Sequence, residues 1–252
     1  MKIGVIGLGL IGGSIFKCLH DKYELVGVSS TVQGENISKE YKTLEDCDIV
    51  FVCTPMNVTL DILNKLENIL PPTTIVTDVC SLKKIVAKKT YSYKFIPSHP
   101  MAGTENSGWE SSYPELFYGA KWVITPLSDN LIDEQNLLEQ VIESMGAKII
   151  ITTPEEHDKA VALISHMPMV LAQALCENIK DNKLAQELAS SGFRDTTRLA
   201  LSNTQMAIDM VNMNEKNIVD AYNSLKASMQ DLLGDLYSEK AKEIKEFRKG
   251  LY

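Results

Sequence analysis

"KIGVIGLGLIGGS" (residues 2–14) decides the fold of this 252-residue chain. A short apolar run leads into "GLGLIG" (7–12), which has the spacing G-x-G-x-x-G, and helix-forming residues follow. Gly7 permits a tight turn, Gly9 lets backbone approach a pyrophosphate, and Gly12 allows a strand and a helix to pack closely. The phosphates would then rest on the positive N-terminus of that helix. Strand, loop and helix occur in the order the motif needs, which raises it above a chance match. Leu10 and Ile11 in the loop, with Thr54 and Pro55 closing "DIVFVCTP" (48–55), join the three glycines as cofactor-binding candidates.

Outward from that loop, brief Val/Ile-rich runs read as strands at 2–7, 24–29, 48–55, 73–78, 94–100, 121–126 and 148–153. Helix-length segments lie between several of them, as at 57–69 and 131–145. Such alternation predicts parallel βαβ units with helices on both faces. The stretch between the second strand and "DIVFVC", about eighteen residues, is too short for a full helix plus strand. A more open adenosine side of the cofactor site is therefore expected. From Thr153 the character changes. Thr153 and Glu156 form a capping box, Pro154 suits the first helical position, and no convincing strand follows. The predicted architecture is α/β: a Rossmann-type dinucleotide-binding domain (1–153), then an all-helical domain (154–252) for substrate binding and dimerisation.

Composition narrows the function. Hydrophobic content of 44% and charge of 23% are globular values. A net charge of -8 argues against partners that are nucleic acids or anionic membranes, which demand a basic patch. The five cysteines are scattered without metal-like spacing and read as small buried hydrophobes in a reducing compartment, with no metal site expected. The glycines of the N-terminal run argue against a signal peptide, and no uninterrupted apolar run approaches a membrane span, so a cytoplasmic protein is expected.

The end of the second strand should read the adenosine ribose. An acid there favours NAD, whereas this chain offers Ser29, Ser30 and Thr31, with no acid until Glu35. Hydroxyl donors can hold a 2′-phosphate, so NADP is favoured over NAD as the cofactor, although the arginine common in NADP enzymes is missing.

Four further segments carry chemistry: "TDVCSLK" (77–83), "SHPMAGTENSGW" (98–109), "SHMP" (165–168) and "ASSGFRDTTRLA" (189–200). Together with "GLGLIGGS" they resemble the prephenate/arogenate dehydrogenase family of tyrosine biosynthesis, in the same order from residue 2 to about 213. Few glycine-loop enzymes carry both HPMAG and GFRDTTR. The resemblance implies oxidative decarboxylation of a cyclohexadienol. Hydride passes from the hydroxyl-bearing ring carbon to the nicotinamide, and the ring carboxylate leaves as CO2. It makes His99 the acceptor of the hydroxyl proton, a role that suits a neutral imidazole. Ser81 matches the family serine near the nicotinamide; by itself it reads equally as an N-cap of a helix starting at Leu82. Arg198 matches the arginine that holds the substrate's side-chain carboxylate through a bidentate fork. Arg194, one helical turn earlier, is placed to face the same side. Glu105 and Asp158 match acids that in some relatives pair with that arginine and control access. His166 is a candidate substrate contact, or a buried hydrogen-bonded histidine.

Two positions depart from the prephenate-type pattern: Met169 replaces a second histidine and Ala207 replaces a tryptophan. Arogenate-type members often have an apolar residue at the first of these, so arogenate is favoured over prephenate. The methionine-rich helical stretches read as core or dimer packing, and family members generally form homodimers through this region. No further regulatory domain is expected. The alternatives are another Rossmann-plus-helical dehydrogenase of a small hydroxy or imino acid, and a nucleotide-sensing protein without catalysis.

Overall fold

The computed structural model describes residues 1–104, 106–234 and 237–251. Strands β1 (Lys2–Ile6), β2 (Glu24–Val28), β3 (Ile37–Ser38), β4 (Ile49–Val52), β5 (Ile75–Asp78) and β6 (Lys94–Phe95) form one parallel sheet in the order β3-β2-β1-β4-β5-β6. Its strands are almost wholly apolar because helices cover both faces. The order reverses between β1 and β4, and the crevice at their carboxyl ends is where open α/β sheets bind ligands.

Helix α1 (Leu10–Leu19) opens from that crevice and α2 (Met56–Leu66) begins on its other side. Gly7 has φ +84°, and a Cβ there would lie 2.6 Å from the Cys53 carbonyl oxygen. A Cβ on Gly12 would come within 2.0 Å of the Gly7 carbonyl oxygen, so the turn closes only around glycine. At Gly9, by contrast, the same position meets nothing within 4 Å. The loop is therefore tight where it packs and open where a phosphate would approach.

The short second crossover contains a strand that the sequence reading omitted. β3 pairs parallel with β2 without an intervening helix. Ser29 makes this reversal: its Oγ accepts the backbone N–H of Thr31 (3.3 Å) and Val32 (3.0 Å), and Asn36 turns the chain at φ +58°. A 3-10 turn at Tyr41–Leu44 stands where a helix would normally lie.

The run read as one strand over 94–100 divides between two sheets. Ile96 N–H bonds the Val76 carbonyl, but Pro97 has no N–H to continue the ladder, and its carbonyl accepts instead from Thr125. Strand β7 (Ser98–Pro100) then pairs antiparallel with β8 (Lys121–Ile124), and β8 pairs parallel with β9 (Lys148–Ile151) across α3 (Ile132–Ser144). Trp122, fully buried between Phe51 and Phe117, ties the two sheets together.

No strand follows β9 among the described residues. Helix α4 (Pro154–Val161) starts on the expected capping box, with Thr153 Oγ1 accepting from Glu156 N–H at 3.2 Å. One π turn (Ala162–His166) joins it to α5 (Met167–Asn178). Pro168 sits just past that turn, where its missing N–H and its ring are accommodated. Helices α6 (Lys183–Leu188), α7 (Ser191–Thr196), α8 (Thr204–Leu232) and α9 (Tyr237–Lys249) complete the chain. The continuous helix 154–178 is long and apolar enough to cross a membrane by length and composition, although Glu155, Glu156, Asp158 and Lys159 interrupt its apolar run. Its buried face, however, carries His157, Asp158 and His166 into hydrogen bonds with other parts of the protein. A helix so tied serves as the central helix of a packed domain.

Candidate active site

Residue 99 reaches its place through its neighbour. Ser98 is buried at the carboxyl end of β5: its Oγ donates to the Asp78 carbonyl (2.9 Å) and receives Thr77 Oγ1 (2.8 Å) and Trp122 Nε1 (2.9 Å). The Lys83 ammonium, fully buried, donates to the Ser98 carbonyl and to the Asp78 carboxylate. Asp78 also accepts Cys80 N–H at 2.9 Å. Such a buried pair holds only when its remaining polar atoms are satisfied, as they are here.

On this mount His99 is half-buried at the junction of the two parts of the chain. Its Nδ1 lies 2.9 Å from Nε2 of His157 on α4, and its Nε2 makes no hydrogen bond to any described residue. Burial, then the Lys83 charge, then His157 and His166 hold it well below the usual histidine range. At neutral pH the imidazole is thus uncharged, with one ring nitrogen free to take a proton.

His157 in turn meets Asp158, Nδ1 to Oδ1 at 2.8 Å. Asp158 is a correction to the sequence reading. Its carboxylate is buried and accepts the backbone N–H of Lys83 (2.8 Å) and Lys84 (3.0 Å), so it is not paired with an arginine. The same bonds correct the reading of Ser81 as an N-cap: no helix starts at Leu82, because the amides that would open it point to Asp158. Ser81 is half-buried and bonds no described residue, which leaves its hydroxyl free.

His166 is buried, and its Nδ1 accepts from Asn214 Nδ2 at 3.1 Å. Asn214 also donates to the Asp158 carbonyl (2.9 Å) from a kink in α8, where its φ of -127° breaks the helix. Burial lowers His166 to about 4, against the Asp158 charge. Because this is below the unfolded value, the unfolded chain binds the proton more readily as pH falls from about 6.5 to about 4. Stability is full above that window and is expected to fall by about 3 kcal/mol across it, with His99 adding a loss of the same sign. Urea melts at the two ends of the window check this. His166→Gln should flatten the profile, and an unchanged slope in that variant would remove His166 as its source.

The arginines are not on one helix face. α7 ends at Thr196, and Arg198 begins a 3-10 turn (Arg198–Leu201), so the expected one-turn spacing is broken at Thr197. Both arginines are exposed, and Arg194 Nε pairs with Asp195 at 3.3 Å. Glu105 lies outside the described residues. Met169 and Ala207, far apart in sequence, are buried in one apolar cluster with Met210, Val170 and Leu199, the last adjoining Arg198. On the cofactor side, the N-terminus of α1 has no side-chain cap, so its amides remain for an anion. Leu10 and Ile11 begin that helix, Pro55 caps α2, and Thr54 Oγ1 is 2.9 Å from Thr59 Oγ1. Ser30 and Thr31 are exposed, while the Ser29 oxygen is occupied by its own turn.

Sequence reasoning missed His157, Lys83, Asp78 and Asn214. A signal was present for one of them: His157 and Val161, like Asp158 and Ala162, are four apart, the spacing of a helix face turned inward.

Two family models cover nearly the whole chain. "Prephenate dehydrogenase, nucleotide-binding domain" matches residues 21–151, and "Prephenate dehydrogenase, dimerization domain" matches 153–250. The chain is 30% identical over 270 residues to the prephenate dehydrogenase of Lactococcus lactis subsp. cremoris, covering 98% of this chain and 74% of that protein. Among solved structures it is similar to Synechocystis arogenate dehydrogenase (33% identity, TM-score 0.80, 99% and 97% of the two chains). It is also similar to Aquifex aeolicus prephenate dehydrogenase in complex with hydroxyphenyl propionate and NAD+ (27%, TM-score 0.81, 100% and 96%).

Proposed function

The chain belongs to the prephenate dehydrogenase family, and from that premise we propose that it converts arogenate to tyrosine by oxidative decarboxylation, with NADP as the favoured cofactor. The observation that carries this reading is His99, neutral, with a free Nε2 at the carboxyl end of β5.

The glycine loop fits a dinucleotide: Gly9 is open, and the amides of α1 are uncapped. Gly7, Gly9, Leu10, Ile11 and Gly12 would hold the pyrophosphate, with Thr54 and Pro55 on the opposite wall. When bound, the nicotinamide accepts a hydride from the ring carbon that bears the hydroxyl. His99 Nε2 takes the hydroxyl proton as that carbon gains carbonyl character. The C–C bond to the ring carboxylate breaks, CO2 leaves, the electron pair completes the aromatic ring, and the proton on His99 returns to the phenolate oxygen. Ser81, half-buried in the loop after β5, supplies a hydroxyl that bonds no described residue, and Arg198, with Arg194 near it in sequence, receives the side-chain carboxylate. His166, buried on the helical side and bonded to Asn214, is the further candidate contact.

What favours arogenate is the apolar cluster of Met169 and Ala207, which offers no imidazole or indole to a keto acid's side chain. What favours NADP is the absence of an acid from Ser29 to Thr31. Homodimerisation through the helical domain agrees with the dimerization-domain match and with the exposed Leu163, Ile164, Leu188 and Leu201. The enzyme acts in the cytoplasm.

Initial rates with arogenate or prephenate, each with NADP or NAD, test the reading. Arogenate with NADP should give the highest kcat/KM. A preference for prephenate would overturn the assignment of the Met169 cluster, and a preference for NAD that of Ser29 to Thr31.

A further inference from the structure

We infer that His157 and Asp158 are positioning residues, forming a histidine–histidine–carboxylate chain that fixes His99 in the tautomer with a bare Nε2. The inference rests on the reading of His99 as the proton acceptor.

For two uncharged imidazoles beside an ionised Asp158, the proton positions follow from the partners. Asp158 is an acceptor, and its other contacts are donors: the N–H groups of Lys83 on Oδ1 and of Lys84 on Oδ2. The third contact, His157 Nδ1 at 2.8 Å, must therefore donate as well. A neutral imidazole has one N–H, so His157 Nε2 is left with a lone pair. That lone pair faces His99 Nδ1 at 2.9 Å and requires a proton there. His99 then has its proton on Nδ1 and none on Nε2, the nitrogen with no hydrogen bond among the described residues. With both imidazoles uncharged, any other arrangement sets two lone pairs, or two protons, against each other; a charged His157 would instead donate to His99 Nδ1 and move the His99 proton to Nε2, the outcome that overturns the inference.

The rest of the environment keeps the chain in this state. His157 and Asp158 are buried, and the two histidine rings meet edge to face, 5.1 Å apart. Asn214 on α8 pins the Asp158 carbonyl and His166 together. Among the described residues, the charged and titratable groups acting on His99 are Lys83, His157 and His166; Asp158 reaches it through His157, and Asp78 stands behind Lys83. Lys83 opposes protonation of His99, and Asp78 is matched to Lys83. Asp158 is thus the carboxylate left to offset an imidazolium. When Nε2 takes the substrate proton, the positive charge is shared through Nδ1–H and His157 toward Asp158. Because α4 carries Asp158 and the loop after β5 carries Lys83 and Lys84, the chain forms only when the two parts of the protein are docked.

The test uses full-length protein, intact, with 15N-labelled histidine, and compares His157→Gln with His157→Leu. The Gln side-chain oxygen can accept from His99 Nδ1–H; Leu cannot. Wild type and His157→Gln are expected to show His99 protonated on Nδ1 at neutral pH, whereas His157→Leu loses that preference. In turnover, His157→Leu should lose about 10²-fold or more in kcat with KM and cofactor affinity little changed, and His157→Gln should recover much of it. Unchanged cofactor affinity also establishes that the variants are folded. Finding His99 protonated on Nε2 in the wild type, or wild-type kcat and pH profile in His157→Leu, would overturn the inference. The tautomer is read without substrate. A wild-type protein inactive on every cyclohexadienol would thus overturn the functional reading, while the tautomer still decides the chain.

Discussion

His99→Ala is expected to lower kcat by about 10²–10⁴-fold, the range over which a positioned general base acts, while cofactor affinity stays at the wild-type level. The expectation follows from geometry: Nε2 is the ring nitrogen of His99 with no hydrogen-bond partner among the described residues. The mount beneath it, Ser98 with Asp78 and Lys83, does not depend on the imidazole. The pH dependence has a definite sign. Burial and the Lys83 charge favour neutral His99, so kcat/KM rises with pH through a pKa below the ordinary histidine value and is level above it. In His99→Ala that acid limb should vanish with the rate. Steady-state kinetics across pH check both, and an undiminished kcat would mean that the proton goes elsewhere.

The second large effect is on stability. Lys83→Met should cost about 3–5 kcal/mol, because it leaves the Asp78 carboxylate buried without its cation. Both side chains are fully buried, and Lys83 also holds the Ser98 carbonyl. Urea denaturation measures the loss. The double variant Asp78→Leu/Lys83→Met should regain part of it, since an apolar pair avoids the desolvation of both charges while still stranding the Cys80 N–H and the Ser98 carbonyl. Equal losses in the single and double variants would show that packing, not the stranded charge, dominates.

The sheet was legible in the sequence because period and punctuation agreed. Glycines mark the first turn, Val/Ile runs mark the strands, and the capping box at Thr153 and Glu156 marks the change to helices. Legibility failed where one residue changes the course of the chain. Pro97 cuts the 94–100 run into two sheets by withholding a single N–H, and Ser29 allows a parallel strand without a helix. Neither is visible as periodicity.

The site divides in the same way. His99 stands in a distinctive loop, and the sequence identifies it. His157 and Asp158 stand in "EEHDK", a charged run that looks like a solvated helix face, and only the docking of α4 against the Lys83 loop buries them. Lys83 is hidden for a related reason: lysine is ordinarily a surface residue, and nothing local in "SLKK" distinguishes the buried one from its exposed neighbour. Arg194 and Arg198 have helical spacing, yet the helix stops between them. Met169 and Ala207 come together only through the packing of α5 against α8 and the turn at Arg198.

The most direct measurement is of coupling. Purified protein with NADP and arogenate labelled in the ring carboxylate should release one CO2 and form one tyrosine for each nicotinamide reduced, and His99→Ala should lose all three together. Nicotinamide reduction without CO2 release, or no product from any cyclohexadienol with bound cofactor, would contradict it.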